Sequence, residues 1–491
     1  MKKTKQFLLS VSLCVCLFKM SAQISAIRWG TTTDPLTNLE VTWSNLAGTA
    51  DSIKWGYTSS LEKGSSLGVK RTGYTGYFFK HTFATVTPTA TIFYKLYDSK
   101  GKAWSSVYQF KTASDPSLNK FTFTAVGDSR DGMAAWTSVS TESNSKYKTD
   151  FIVFSGDLID DDSQNSEWDA WFSAGATFLQ NNMVIHAQGN HETADTPNYL
   201  NCFSFPTVNS QNLYYDVTFA NTIFITLNSE DTANVTQYTW LKTTLAAAQA
   251  NPNIMWKVIN FHRPFFTVGP HAGEMDVELT KWWKAFDDYG VDLVLNGHDH
   301  MYERSKPINR NVSTTAPVAN YGSGPTEGRC EIVSGGAGAP FYTGTADAFT
   351  QNIVMNTNHF CKLNVTPLAN GGSILCDSTF DINGNLIDNF CISKAANATG
   401  VKLKNTVFNP ISVYPNPTDG NITLSYSSAL RGTAIIKIFD VTGKEVFSDK
   451  PQQKNADKME LKYNLAGYAK GFYSIQVVMG EQKDNAIFIV K

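Results

Sequence analysis

The chain has 491 residues, of which 42% are hydrophobic, 13% aromatic and 17% charged, with a formal net charge of -2. At roughly 100–200 residues per domain this length implies about three domains, with enough apolar content to bury a sizeable core. The low charge and the lack of a basic excess argue against a nucleic-acid binder or a protein that docks on anionic membranes.

In chain order, the first segment is a targeting sequence. Lys2, Lys3 and Lys5 precede an apolar run over 7–18 that is too short to span a bilayer comfortably. Ser21-Ala22 offers a small-residue cleavage site, so 1–22 reads as a signal peptide and the mature chain begins near Gln23; an uncleaved anchor is the alternative. Cys14 and Cys16 do not follow the small residue that a lipoprotein signal needs. No later run predicts a transmembrane helix. The mature chain keeps Cys202, Cys330, Cys361, Cys376 and Cys391. In an oxidising compartment the odd count leaves at least one thiol unpaired, and one or two bonds are expected among the last four. No CxxC pair suggests a thiolate zinc site.

Residues 24–115 read as all-β. Leu39-Glu40-Val41-Thr42-Trp43, Ser52-Ile53-Lys54-Trp55-Gly56-Tyr57 and Thr91-Ile92-Phe93-Tyr94-Lys95-Leu96-Tyr97 alternate apolar and polar residues, as half-buried strands do. Several such strands predict a β-sandwich. The order of features, through to Tyr108-Gln109-Phe110-Lys111-Thr112, resembles a fibronectin type III-like domain. After the polar linker Ser114-Asp115-Pro116-Ser117, residues 120–392 alternate apolar β runs (121–126, 151–154, 183–186, 222–227, 256–259, 291–295) with helical stretches around 166–179, 236–250 and 278–289. That alternation predicts a layered α/β domain with mixed sheets. Gly335-Gly336-Ala337-Gly338 lacks the Lys-Ser/Thr of a P-loop and reads as a tight turn.

A small-residue linker over 393–406 is followed by a second β-rich segment over 407–491. Its Val413-Tyr414-Pro415-Asn416-Pro417 opening and late Gly471-Phe472-Tyr473 strand resemble the C-terminal sorting domain of type IX secretion cargo. The resemblance implies a Gram-negative bacterium, a partner in the type IX secretion machinery, and a mature protein that is secreted or held at the cell surface. The alternative is a generic small β-sandwich acting as a binding module.

Five motifs lie at the ends of the central apolar runs: Gly127-Asp128-Ser129-Arg130, Gly156-Asp157-Leu158-Ile159-Asp160, Gly189-Asn190-His191-Glu192, Asn260-Phe261-His262-Arg263-Pro264, and Gly297-His298-Asp299-His300 followed by Tyr302-Glu303-Arg304. Strand ends in an α/β layer deliver side chains to a common crevice. Hydrolysing a phosphoester near neutral pH calls for a strong nucleophile and charge neutralisation, which two metal ions about 3.5–4 Å apart supply. A mixed shell of Asp, Asn and His suits Fe, Zn or Mn better than Ca.

The motif set resembles the calcineurin-like metallophosphoesterase superfamily and, within it, the purple acid phosphatases, which carry a fibronectin-like domain ahead of an αββα catalytic one. The resemblance implies that Asp128 binds the first metal and Asp157 bridges both. Asn190, His262 and His298 would complete the second site and His300 the first. His191 matches the family histidine that meets the substrate phosphate or protonates the leaving group. His271, in a loop after the second-metal ligand, is a candidate substrate contact.

The chain departs from the purple pattern twice. Residue 130 is Arg rather than Gly, and Asp160 stands where the purple enzymes place a tyrosinate. Without a phenolate no charge-transfer colour is expected. Asp160 would either ligate the first metal or leave that position to water. Arg130 would either reach the substrate phosphate as a bidentate donor or form a salt bridge within 160–162. His81, His186 and His359 read as packed histidines, and Glu303 and Arg304 as braces.

The resulting expectation is a secreted, dinuclear-metal phosphomonoesterase, acid phosphatase-like, in which a metal-bound hydroxide attacks phosphorus. A phosphodiesterase or nucleotidase on the same core is the alternative within enzymes. A catalytically inert surface binding or adhesion protein is the alternative of another class.

Overall fold

The computed structural model describes residues 24–31, 34–193, 198–205, 213–309, 321–322, 327–395, 411–428, 431–441, 443–456, 458–480 and 482–491. The expected signal peptide over 1–22, most of the 393–406 linker and parts of the loops over 193–205 and 309–328 lie outside them. Contacts divide the chain into Met1–Asn405 and Thr406–Lys491.

Two sheets form the heart of the first unit. One has ten strands in the order Leu386–Lys394, Ser373–Asp381, His359–Pro367, Phe121–Val126, Phe151–Phe154, Met183–His186, Ser25–Thr31, Leu39–Asn45, Tyr77–Phe83 and Val69–Thr72. The other has seven: Tyr215–Phe219, Thr222–Thr226, Trp256–Asn260, Leu293–Asn296, Cys330–Ser334, Tyr302–Ser305 and Thr350–Val354.

Alternation along the strands splits the apolar residues between an inner and an outer layer. Phe123, Phe151, Val153 and Ile185 of the first sheet share a core with Phe224, Val258, Leu293 and Leu295 of the second. On the other face of the first sheet, Val126, Ile152 and Phe154 meet Trp136 of the helix Met133–Lys146 and Trp168 and Trp171 of the helix Asn165–Ala174. Outside the second sheet, Ile225, Ile259 and Val294 meet Leu241 and Leu245 of the helix Val235–Ala250 and Trp283 of the helix Trp282–Asp288. This is an α/β/β/α layering. Each fully buried large apolar side chain contributes about 1.5–3 kcal/mol.

The strands on either side of the Ser114–Ser117 linker share one sheet: Ser25–Thr31 runs parallel to Met183–His186, with Trp29 opposite Met183. A further five-stranded sheet contains Ser52–Gly56, Thr91–Asp98 and Tyr108–Lys111. Its Ile53, Ile92, Tyr94 and Leu96 pack into the same core as Trp29, Val41 and Trp43.

Among the described cysteines, Cys376 and Cys391 are bonded across an antiparallel pair, while Cys202, Cys330 and Cys361 are free and buried. One bond thus falls among the last four, as expected. His186 and His359 are packed, at 2% and 0% exposure. No helix among the described residues is long and apolar enough to cross a membrane.

The second unit has one sheet of Ile411–Tyr414, Asn421–Ser427 and Lys458–Asn464 and another built around Gly432–Phe439, Gly471–Met479 and Gln482–Val490. Leu424, Ile436, Ile438, Ile475, Val477 and Phe488 form its own core.

Candidate metal centre

Strand register places the motifs at one level. Val126 lies opposite Phe154, and Phe154 opposite His186, so the turns carrying Asp128, Asp157 and Asn190 leave the first sheet together. In the second sheet Asn260 lies opposite Leu295, which brings His262 level with Gly297-His298. Beneath the site, Ser155 donates to Asn260 Oδ1 at 2.8 Å and the Asn260 amide donates to the Phe154 carbonyl at 3.2 Å, which fixes one sheet against the other.

The turns are sharp. Asp128, Asp157 and His298 have φ of 59°, 53° and 68°, a left-handed conformation that L side chains seldom adopt and that surrounding packing must hold. A Cβ on Gly297 would collide with Asp128 Oδ2, and one on Gly189 with Asp157 Oδ1.

Three donor clusters result among the described residues, of which one, His271, Glu274 and His298, lies at the rim and the other two meet at Asp157. Asp128, Asp157 and His300 each offer one ligand atom within 4.8 Å of the others, and so do Asp157, His262 and His298. Asn190 joins the second cluster with its Oδ1 3.0 Å from His262 Nε2. Asp157 is common to both. The histidine tautomers are set by their outer nitrogens. His262 Nδ1–H donates to the Ser155 carbonyl at 2.8 Å, and His300 Nδ1–H to the Pro340 carbonyl at 2.6 Å, which turns each Nε2 lone pair inward. His298 is turned the other way: its Nε2 lies 3.1 Å from both Glu274 Oε2 and Arg263 Nη1, and its Nδ1 faces His262 Nε2 at 3.1 Å.

This donor set fits a cation. Around His262 Nε2 stand the oxygen acceptors Asp157 Oδ1, at 3.2 Å, and Asn190 Oδ1, together with His298 Nδ1. Burial opposes charge on His262, yet Asp157 and Asp128 outweigh it and push its pKa up to about 10. The crevice thus draws positive charge even into a fully buried imidazole. His300 is pushed down to about 4 by burial, against its bond to Pro340 and with the help of the Arg130 charge, which keeps its lone pair free. Burial, together with the neighbouring His262, also lowers the His298 pKa.

The six expected ligands are therefore brought together. His191 lies beside them: its Nδ1–H donates to the Asp160 carbonyl at 2.5 Å and its Nε2 is 3.8 Å from Asp157 Oδ2. Asp160 is in none of the donor clusters. Its Oδ1 lies 3.0 Å from Arg130 Nη1 and 3.2 Å from His191 Nδ1. Arg130 also meets Asp131 at 2.6 Å, while its Nε, buried and without a hydrogen-bond partner, faces Asp157 Oδ2 at 3.6 Å. His271 lies against His298 with centroids 3.9 Å apart and the rings tilted by 31°, and its Nδ1–H donates to the buried Asp299 at 2.7 Å.

Sequence reasoning missed several supports. Glu274 reaches His298 and is paired with Arg263, which also grips Glu230 at 2.9 Å. Tyr342 stacks on His300 at 4.1 Å. Glu192 accepts backbone N–H bonds from both ligand turns. Only Glu192, inside the Gly189–Glu192 motif, and Arg263, inside the Asn260–Pro264 motif, carried a sequence signal. Glu303 and Arg304 brace as expected: Glu303 accepts from Val268 N and Thr350 Oγ1, and Arg304 pairs with Asp388.

A family model described as calcineurin-like phosphoesterase matches residues 121–302. Those residues are a calcineurin-like phosphoesterase domain. All six donors of the centre lie within this phosphoesterase domain. A second model, secretion system C-terminal sorting domain, matches residues 412–491. Purple acid phosphatase 18 of Arabidopsis thaliana is 25% identical over 296 residues, covering 56% of this chain and 65% of that protein. An uncharacterized protein of Mycobacterium tuberculosis is 27% identical over 202 residues, covering 35% of this chain and 38% of that protein. The chain thus spans less than two thirds of either relative's length. Among solved structures, purple acid phosphatase PPD1 of yellow lupin (Lupinus luteus) is similar with a TM-score of 0.61 at 17% identity, over 76% of this chain and 74% of that one. At that identity the likeness concerns the fold alone. The sorting-domain match points to secretion or the cell surface.

Proposed function

We propose that the chain is a secreted phosphomonoesterase, acid phosphatase-like, working with two ions of Fe, Zn or Mn held by Asp128, Asp157, Asn190, His262, His298 and His300. The observation that carries this reading is the sharing of Asp157 between two buried donor clusters. When bound, two ions supply charge neutralisation and an activated water. The chain's own groups do the rest. His191 has Nδ1–H fixed on the Asp160 carbonyl, so Nε2 faces the crevice and can hold the proton that the departing alkoxide needs. His271, whose Nδ1 is taken up by Asp299, would offer its Nε2 as a phosphate contact. The orphan Nε–H of Arg130 is a further donor for a phosphate oxygen.

The test is metal analysis of the purified mature protein with its visible spectrum, alongside turnover of p-nitrophenyl phosphate and its bis ester. About two equivalents of metal, no tyrosinate band and preference for the monoester are expected. Preference for the bis ester would move the reading to a phosphodiesterase. Less than one equivalent, with no activity on adding Zn, Mn or Fe, would favour an inert binding protein.

A further inference from the structure

The two halves of the centre are unequal. The second cluster has Asp157, Asn190, His262 and His298, whereas the first has Asp128, Asp157 and His300. Asp160, the further donor that the sequence offers for the first, has its carboxylate engaged elsewhere. It is 44% exposed and paired with Arg130 Nη1 at 3.0 Å. Arg130 is only 13% exposed. Two partly exposed acids, Asp131 and Asp160, hold its outer nitrogen. Its Nε–H points the other way, toward Asp157 Oδ2, at 3.6 Å and without a hydrogen-bond partner. A guanidinium stays charged at any working pH. The buried side of that charge therefore faces the one carboxylate that both ions share, while solvent screens the acids on its far side.

Both effects act in the same direction. Withholding Asp160 leaves the first site short of an anionic oxygen, and a fixed cation beside Asp157 opposes a second cation there. We propose that Arg130 makes the first site the weak one, so that the ion held by Asp128, Asp157 and His300 exchanges readily while the ion held by Asn190, His262 and His298 is retained. This rests on the two-ion reading above and adds which ion is lost first and which residue decides it.

The experiment titrates the chelator-treated full mature chain with Zn²⁺ alone, by calorimetry and by competition with a coloured chelator. Two phases with dissociation constants separated by about tenfold or more are expected. Arg130→Met, which removes the charge and frees Asp160, is expected to tighten the weak phase by about fivefold or more and leave the strong one in place. Arg130→Lys keeps a charge and is expected to keep the separation. Thermal melting of each variant checks that it folds, and the parent titration stands without any variant. Equal affinities in the parent, or a weak phase that a folded Arg130→Met does not move, would overturn the proposal and leave the two-ion reading intact. Failure of the parent to bind Zn²⁺ at all would overturn both.

Discussion

Glu192 accepts backbone N–H bonds from Gly189, Asp157, Leu158 and Ile159 at 2.8, 3.0, 2.7 and 3.4 Å. One carboxylate thus joins the turn that carries Asp157 to the turn that carries Asn190. In Glu192→Gln an amide NH₂ would face N–H groups that need an acceptor. A buried donor left without a partner costs about 1–3 kcal/mol. Denaturant unfolding is expected to show a loss of that size, together with weaker metal retention; an unchanged midpoint and unchanged metal content would refute the role. A second residue sets pH behaviour away from the donor clusters. His186 is buried against Phe203 and bonded through Nδ1 to the Tyr199 hydroxyl at 2.7 Å. Burial, aided by Arg28, lowers its pKa from 6.5 to about 3. The unfolded chain takes up a proton below 6.5 that the folded chain refuses until about 3, so this contribution is complete above pH 6.5 and is lost as pH falls toward 3. The slope is about 1.4 kcal/mol per pH unit for one group. His186→Gln is expected to flatten the stability profile between about pH 6 and 4 by that amount, and parallel profiles for parent and variant would rule it out. At this scale the six converging donors were legible because Asp, Asn and His sit at strand ends, beside a turn glycine in four of the five motifs. Glu274 and Asp299 were not legible as supports. Nothing in a local string shows that the carboxylate of one loop reaches the imidazole of another.

The strand Leu293–Asn296 ends in Gly297 and then His298, whose φ of 68° turns the chain across the mouth of the sheet. His298 N donates to Asp128 Oδ1 at 2.9 Å, so the turn from one sheet seats the ligand from the other. The absent side chain at Gly297 makes room for that carboxylate. Gly297→Ala would drive a methyl into Asp128 Oδ2 and displace it. A misplacement of about 1 Å at a reacting centre costs on the order of 100-fold in rate. A fall of that order in kcat is expected with little change in far-ultraviolet circular dichroism; near-parental turnover would show that the turn adapts. Element type was legible where periodicity was strong, as along Thr91–Asp98, whose residues alternate between half-buried and buried. It was not legible for the helix Met133–Lys146. Its Ser- and Thr-rich string has little intrinsic helix preference and no clear apolar stripe. Burial of Trp136 and Val139 against the first sheet supplies the stability that local sequence does not. The parallel pairing of Trp29 with Met183 was equally hidden, because it joins strands far apart in the chain.

At the scale of the whole molecule, chemistry and address occupy different units. Every donor of the centre lies in Met1–Asn405, and the match to the sorting domain lies in Thr406–Lys491. The second unit closes its own core with Leu424, Ile436, Ile438, Ile475, Val477 and Phe488. It therefore does not need the phosphoesterase domain to bury its apolar faces. The same independence does not hold at the front of the chain. Trp29, Val41 and Trp43 share a core with Phe123, Val153 and Ile185, so the first strands extend the sheet that carries Asp128, Asp157 and Asn190. Trimming the two ends should consequently have opposite effects. A chain ended at Asn405 and produced without the need for export is expected to fold and to keep kcat within about twofold, since separate compact units act almost additively. A chain begun after residue 115 loses the parallel neighbour of Met183–His186 and is expected to be insoluble or inactive. The measurement is p-nitrophenyl phosphate turnover and melting temperature for both truncations beside the parent. A large loss of kcat on removing the tail would mean that the second unit takes part in the chemistry. Full activity without the front strands would mean that the shared sheet is dispensable to the centre.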